Sequence, residues 1–196
     1  MKNIRLFMVF LMGLVLIACG RSKEPDYYVL NPFFTSPATK HLYLRLGIED
    51  ISIPEYLDKA QLVIFHSPHQ NRLFENHLWS ERLKSNIARV IKSNLNTALP
   101  GTLVEIAPWS SSFNPNKKIK IDMTQFRVDI YGNSTLRAVY QIYDNEQNIT
   151  EYNTCLYQKL HTISPATIVV SMNDNLNRLS REIAGKLRDA GKNITK

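Results

Sequence analysis

Apolar positions along this chain recur at two spacings, and the switches between them mark out its elements. An apolar run over residues 6–18 follows Lys2 and Arg5. Tyr27-Tyr28-Val29-Leu30 is β-prone and predicts an edge strand. Pro32 and Pro37 then mark a loop reaching residue 40. Alternation over residues 42–48 predicts a strand with one buried face. Its phase slips near residues 47–50 and resumes at Ile51 and Ile53, so a bulge is expected there. Pro54 ends regular pairing, because it has no N–H to give. A turn at residues 55–59 follows, then short strands at 61–65 and 72–75 with a loop between them.

From Leu78 the spacing lengthens. Trp79, Leu83, Ile87, Ile91, Leu95 and Ala98 recur at about four residues, which predicts an amphipathic helix opening at Leu78 and Trp79. Pro100-Gly101 stops it. A strand at 102–106 and a polar loop at 108–116 lead into the longest strand signal, residues 118–131. Its apolar parity reverses between Met123 and Phe126, so a bulge is expected near Thr124-Gln125. Turns at Gly132-Asn133 and at 144–148 join it to strands at 135–143 and 151–160 in an antiparallel meander. Ile168, Met172, Leu176, Leu179, Ile183 and Leu187 mark a second amphipathic helix whose basic end suits a helix C-terminus. The order predicts a single α/β (α+β-like) domain, a mixed β-sheet with two long amphipathic helices packed on it.

The apolar run changes the picture of location. A basic start, a short apolar core and small residues at its end make a secretory signal, too short to be a comfortable permanent span. Leu16, Ile17 and Ala18 precede Cys19, and Leu-Ile-Ala-Cys resembles the bacterial lipobox. The expected organisation is a signal peptide at 1–18, a lipidated N-terminus and tether at 19–26, and a periplasmic domain at 27–196. Covalent acyl chains on Cys19 would hold the chain durably on a bilayer. Gly20 stands where Asp would mark inner-membrane retention, which points to the periplasmic face of the outer membrane. The tether at residues 20–26 reaches at most about 23–25 Å.

Composition narrows the function. Of 196 residues, 44% are hydrophobic and 21% charged, which suits a folded domain. The net charge of +7 is scattered, and an exported chain without a basic-aromatic motif gives no case for nucleic acid. Seven glycines supply no phosphate loop, and neither Gly-x-Ser-x-Gly nor His-Glu-x-x-His occurs. His66, His69 and His77 cluster locally but read as solvated rather than as zinc ligands. Asp50, Glu55 and Asp58 read as solvated turn carboxylates rather than an acid/base set. Cys155 has no partner if Cys19 is acylated, and is expected to be a small, shielded, buried residue. No enzyme, cofactor or metal is expected.

The lipobox, Tyr27-Tyr28-Val29-Leu30, the block Ile51-Ser52-Ile53-Pro54-Glu55-Tyr56-Leu57-Asp58 and Leu78-Trp79-Ser80-Glu81-Arg82-Leu83 together resemble the PqiC-type lipoproteins, auxiliary components of ABC-type and MCE transport systems. Lys59 stands where that family commonly has arginine. The segment from Trp79 departs at two positions from the family's Trp-Ala-Glu-Pro-Leu. The resemblance implies a three-layer-like α/β domain on the outer membrane, working with an MCE-type periplasmic protein and an inner-membrane permease in lipid transport. A homo-oligomeric ring is a further expected partner arrangement. Pro54, Tyr56, Leu57 and Trp79 become candidate partner-contact or structural residues. The alternative is a structural envelope lipoprotein that scaffolds outer-membrane or cell-wall assembly.

Overall fold

The computed structural model describes residues 23–33, 43–145 and 148–192. Leu16, Ile17, Ala18 and Cys19 lie outside the described residues, as do Gly20 and the expected strand start at Leu42. Eight strands and two helices follow in the order β1 (Asp26–Tyr28), β2 (Arg45–Ser52), β3 (Gln61–Ser67), β4 (Gln70–Trp79), α1 (Leu83–Ala98), β5 (Leu103–Ile106), β6 (Lys117–Val128), β7 (Asn133–Asp144), β8 (Ile149–Lys159) and α2 (Pro165–Lys192). The strands form two sheets, ordered β5-β2-β6-β7-β8 and β1-β4-β3. The expected α+β architecture is present, with its mixed sheet divided in two.

In the larger sheet β2 runs parallel to both β5 and β6, while β6, β7 and β8 form the expected antiparallel meander. Both predicted bulges occur, at Ile48/Asp50 in β2 and at Met123/Gln125 in β6. Each has the same cause: a run of inward apolar residues changes parity, and one extra residue restores the face. Ile119, Ile121, Met123, Phe126 and Val128 are accordingly all buried on one face. Both helices pack on that face and on each other. The larger sheet therefore has helices on one side only, where the resemblance implied three layers. Its opposite face exposes Lys120, Asp122, Thr124, Arg137 and Asn153.

Two other expectations need correction. The second strand of the hairpin is longer than read, because it runs on to Trp79 rather than stopping near residue 75. Trp79 thus ends β4, and helix α1 opens four residues later at Leu83. The spacing of Trp79 from Leu83 matched a helical repeat by coincidence. Its backbone N–H is instead claimed by Ala60 C=O at 2.7 Å, and the indole is buried at the strand end. α2 has a reciprocal cap, with Thr167 N–H on Ser164 Oγ and Ser164 N–H on Thr167 Oγ1. Pro165, whose missing N–H costs nothing in the first turn, follows the cap.

The chain before β2 is tied down by side-chain amides. Leu30 N–H donates to Asn86 Oδ1 at 2.6 Å, and Leu30 C=O accepts from Asn86 Nδ2 at 3.2 Å and Arg89 Nη2 at 3.0 Å. Phe33 N–H donates to Asn94 Oδ1 at 2.9 Å, and Asn31 N–H to Asn173 Oδ1 at 2.8 Å. Helical geometry explains the match. Eight residues of helix separate Asn86 from Asn94 by about 12 Å. Three extended residues cover about 10 Å. Asn94 also donates to Asn177 Oδ1 at 2.8 Å and Ser180 Oγ at 3.0 Å, joining α1 to α2.

Replacing Asn94 with leucine of similar size strands the buried Phe33 N–H and Asn177 Oδ1. Asn94→Leu is expected to lower unfolding free energy by about 2–4 kcal/mol, since each orphaned buried group costs about 1–3 kcal/mol. Urea titration measures this, with the exposed Asn96→Ser variant as a control expected within about 0.5 kcal/mol of the parent.

Candidate functional site

Pro54 closes β2 and starts a single 3-10 turn, Glu55–Leu57, held by Leu57 N–H on Pro54 C=O and Asp58 N–H on Glu55 C=O. The turn separates the candidate residues. Leu57 points into the core and is 3% exposed. Pro54 and Tyr56 are half-buried at the rim. Tyr56 meets the edge of the Phe65 ring at a centroid distance of 5.2 Å. Trp79 is 7% exposed and, like Leu57, belongs to the core.

Phe65 lies where the two sheets meet. It bridges Asp129 beyond the end of β6, and its carbonyl accepts from Ile130 N–H at 2.9 Å. The β6 bulge turns Phe126 and Val128 inward and leaves Gln125 and Arg127 on the open face. Arg127 then places its guanidinium 4.9 Å from the Phe65 ring centroid. The result is a cleft of about 330 Å³. Tyr56, Phe65, the β3–β4 turn from Pro68 to Asn71, Thr124, Gln125 and Arg127 line it. Burial raises the Tyr56 hydroxyl above its ordinary value, against the opposing pull of the Arg127 charge and a backbone hydrogen bond with Phe126. The cleft has aromatic walls, amide and hydroxyl groups and one guanidinium. Such a set suits binding an anionic group beside an apolar one.

Tyr56 is the predicted site residue that the fold brings to this cleft. Phe65, Gln125 and Arg127 were not singled out from the sequence. The signal for Arg127 was present in the predicted bulge, which fixes the outward parity of the residues after it.

The other predicted groups go elsewhere. His77 Nδ1 sits 3.3 Å from Asp26 and 3.2 Å from the Tyr28 hydroxyl, while His69 lies on the cleft rim. Among the described residues, no group of three or more His, Cys, Asp or Glu is placed to hold a metal. Asp50 pairs with Lys84 and Asp58 with Arg82, each at 3.3 Å on the exposed surface. Among the described residues, no helix is long and apolar enough to cross a membrane.

Cys155 corrects an expectation: it is exposed, not shielded. β8 is the edge strand of the larger sheet, and Tyr152, Thr154 and Leu156 face the helices. Cys155 therefore shares the open face with Asn153 and Tyr157, and the strand's period of two carries that information.

Residues 28–184 match the model of a family described as ABC-type transport auxiliary lipoprotein component. No curated protein matches the chain. A crystal structure of an uncharacterized protein is similar over 84% of this chain and 99% of its own, with 20% identity and a TM-score of 0.70. A Xanthomonas campestris protein described as DUF330 is similar over 88% of this chain and 97% of its own, with 12% identity and a TM-score of 0.66. At these identities the two structures speak for the fold.

Thiol titration of native residues 20–196 checks the placement of Cys155. Its thiol is expected to react with a disulfide reagent within about threefold of the rate after denaturation, as reactivity follows access. Cys155→Ser is expected to change stability by less than about 0.5 kcal/mol.

Proposed function

We propose, for a chain that belongs to the ABC-type transport auxiliary lipoprotein component family, that it acts without catalysis, as a docking subunit of an MCE/ABC-type intermembrane lipid transport system. The observation that carries this reading is the span of the family match, residues 28–184, which takes in almost the whole described domain. Cleavage after Ala18 frees Cys19, which carries the acyl chains, and Leu16, Ile17 and Ala18 are the recognition residues before it. The lipid holds the domain on the periplasmic face of the outer membrane. There it receives or anchors an MCE-type protein that spans the periplasm from an inner-membrane permease. Copies of the domain arranged as a ring would surround the end of such a conduit.

Two features support docking over chemistry. The segment at residues 30–33 is fixed to both helices through Asn86, Asn94 and Asn173, so the tether leaves a rigid body. A tether fixed at its base confines the domain near the bilayer instead of letting it swing. The cleft beside Tyr56 offers stacking and hydrogen-bonding surface, with no cysteine, serine or carboxylate among its lining residues.

Cell fractionation tests the anchor. Cys19→Ala is expected to lose labelled palmitate and to leave the outer-membrane fraction. A photoreactive residue at Tyr56 tests the docking, and is expected to capture an MCE-type subunit or a neighbouring copy. Retention of Cys19→Ala in the outer membrane with its label would refute the anchor assignment. Phospholipid cleavage by purified protein that captures no such partner would overturn the docking reading.

A further inference from the structure

We propose that the cleft beside Tyr56 receives a carboxylate-bearing segment of the partner protein, and that Arg127 is the residue that recognises the acid. This rests on the docking reading and names the chemistry of the contact. Arg127 is half-buried, and its guanidinium is held against the Phe65 ring at 4.9 Å. Among the described residues no carboxylate pairs with it, since the ion pairs there use Arg82, Lys84, Arg89, Lys117 and His77. No Asp or Glu lines the cleft. The nearby Asp129 is committed to its own turn, accepting from the N–H groups of Tyr131 and Asn133 and from Asn133 Nδ2.

Stacking holds a guanidinium by its face and leaves its in-plane donors available. Those donors form a rigid fork that matches a carboxylate, so the missing partner is a planar anion. A half-desolvated charge without a partner is costly, and a docking acid removes that cost. The rest of the cleft suits a peptide around the acid. Gln70, Asn71 and Gln125 carry side-chain amides for a main chain, and Tyr56 and Pro68 offer apolar walls for a flanking side chain. Size selects the source of the anion. About 330 Å³ is near the low end of the roughly 300–1,000 Å³ of ligand sites. It takes one side chain with its backbone, not the double acyl body of a phospholipid.

The full-length lipoprotein in cells, carrying a photoreactive residue at His69 on the exposed rim, tests this. The expected result is a crosslink to a partner protein at a peptide containing Asp, Glu or the C-terminal carboxylate. Arg127→Gln is expected to lower the yield by about tenfold or more, with Arg127→Lys intermediate, as for loss of one partner of a desolvated charge pair. Arg127→Glu is expected to abolish the crosslink, and an acid-to-Arg change at the mapped partner position to restore it. Circular dichroism of each variant tracks folding, and if Arg127→Gln fails to fold, the Lys variant and the charge exchange decide. An equal yield from the parent and folded Arg127→Gln would overturn the role of Arg127 and leave the docking reading standing. A crosslink to phospholipid alone, or to a partner peptide without an acid, would also overturn it. Absence of any protein crosslink from both His69 and Tyr56 would remove the docking reading itself.

Discussion

The rest of this structure depends on two asparagines of α1 acting as a substitute for a strand. The chain around residues 30–33 must leave β1 and cross the core edge, where its amide groups have no ladder to join. Asn86 and Asn94 meet those groups from a helix, at a repeat that matches an extended chain. Burying asparagine in a helix face is costly unless every donor and acceptor is used. Here Asn94 uses both ends of its amide, accepting from Phe33 and donating to Asn177 and Ser180. Among the described residues no buried side-chain polar atom lacks a partner. One set of amides therefore docks the leading segment and fastens the two helices together. A leucine pair in their place would hold the helices and release the segment.

A second constraint divides the larger sheet into a closed and an open face. The helices cover one side, and Tyr140, buried there, donates its hydroxyl to Glu182 Oε1 at 3.0 Å. The other oxygen of that carboxylate accepts from Thr154 Oγ1 at 2.7 Å, so α2 is pinned to β7 and β8. Burial raises the Tyr140 hydroxyl well above its ordinary value, and the hydrogen bond and charge of Glu182 push the same way. Among the described residues the open side is covered only in part, by Phe65 and the β3–β4 turn beside Arg127 and by Trp109 over Gly47. A Cβ at Gly47 would stand 2.9 Å from that ring, so the absence of a side chain is what lets the 108–116 loop fold onto the sheet. The fold thus leaves Lys120, Asp122, Arg137 and Asn153 exposed on the side away from its helices.

What was legible in the sequence was local. Both helices, both bulges and the meander follow from the period of apolar residues, because a buried face imposes that period directly. Trp79 was misplaced because a single apolar residue four positions before a helix fits the repeat whichever element it ends. The division into two sheets depends on pairings between distant segments, such as Asp26 with His77, which leave no periodic trace. The asparagine clamp was invisible for a related reason. Polar residues inside an apolar stripe read as imperfections of the stripe, and their partners lie more than fifty positions away. Cys155 could have been placed correctly, since its parity with Asn153 and Tyr157 puts it outward. Arg127 was half legible: the bulge gave its face, but only the fold brings Phe65 beneath it.

The smaller sheet links the held segment at residues 30–33 to the cleft beside Tyr56. Its order is β1-β4-β3. The leading segment enters through β1 at one edge, and the clamp holds it just beyond. Phe65 lies on β3 at the other edge, under Arg127 and against Tyr56. β4 pairs with both strands, parallel to β1 and antiparallel to β3. The β3–β4 ladder is irregular along the way, because Gln61 pairs with Leu78 and Val63 with Leu73, so β4 carries extra residues between the tether's end of the sheet and Phe65. On the proposed docking reading, pairing through β4 would couple the orientation of the leading segment to that of the cleft. On that reading, the amides that hold residues 30–33 would also bear on the direction in which the cleft faces, since the held segment follows directly on β1.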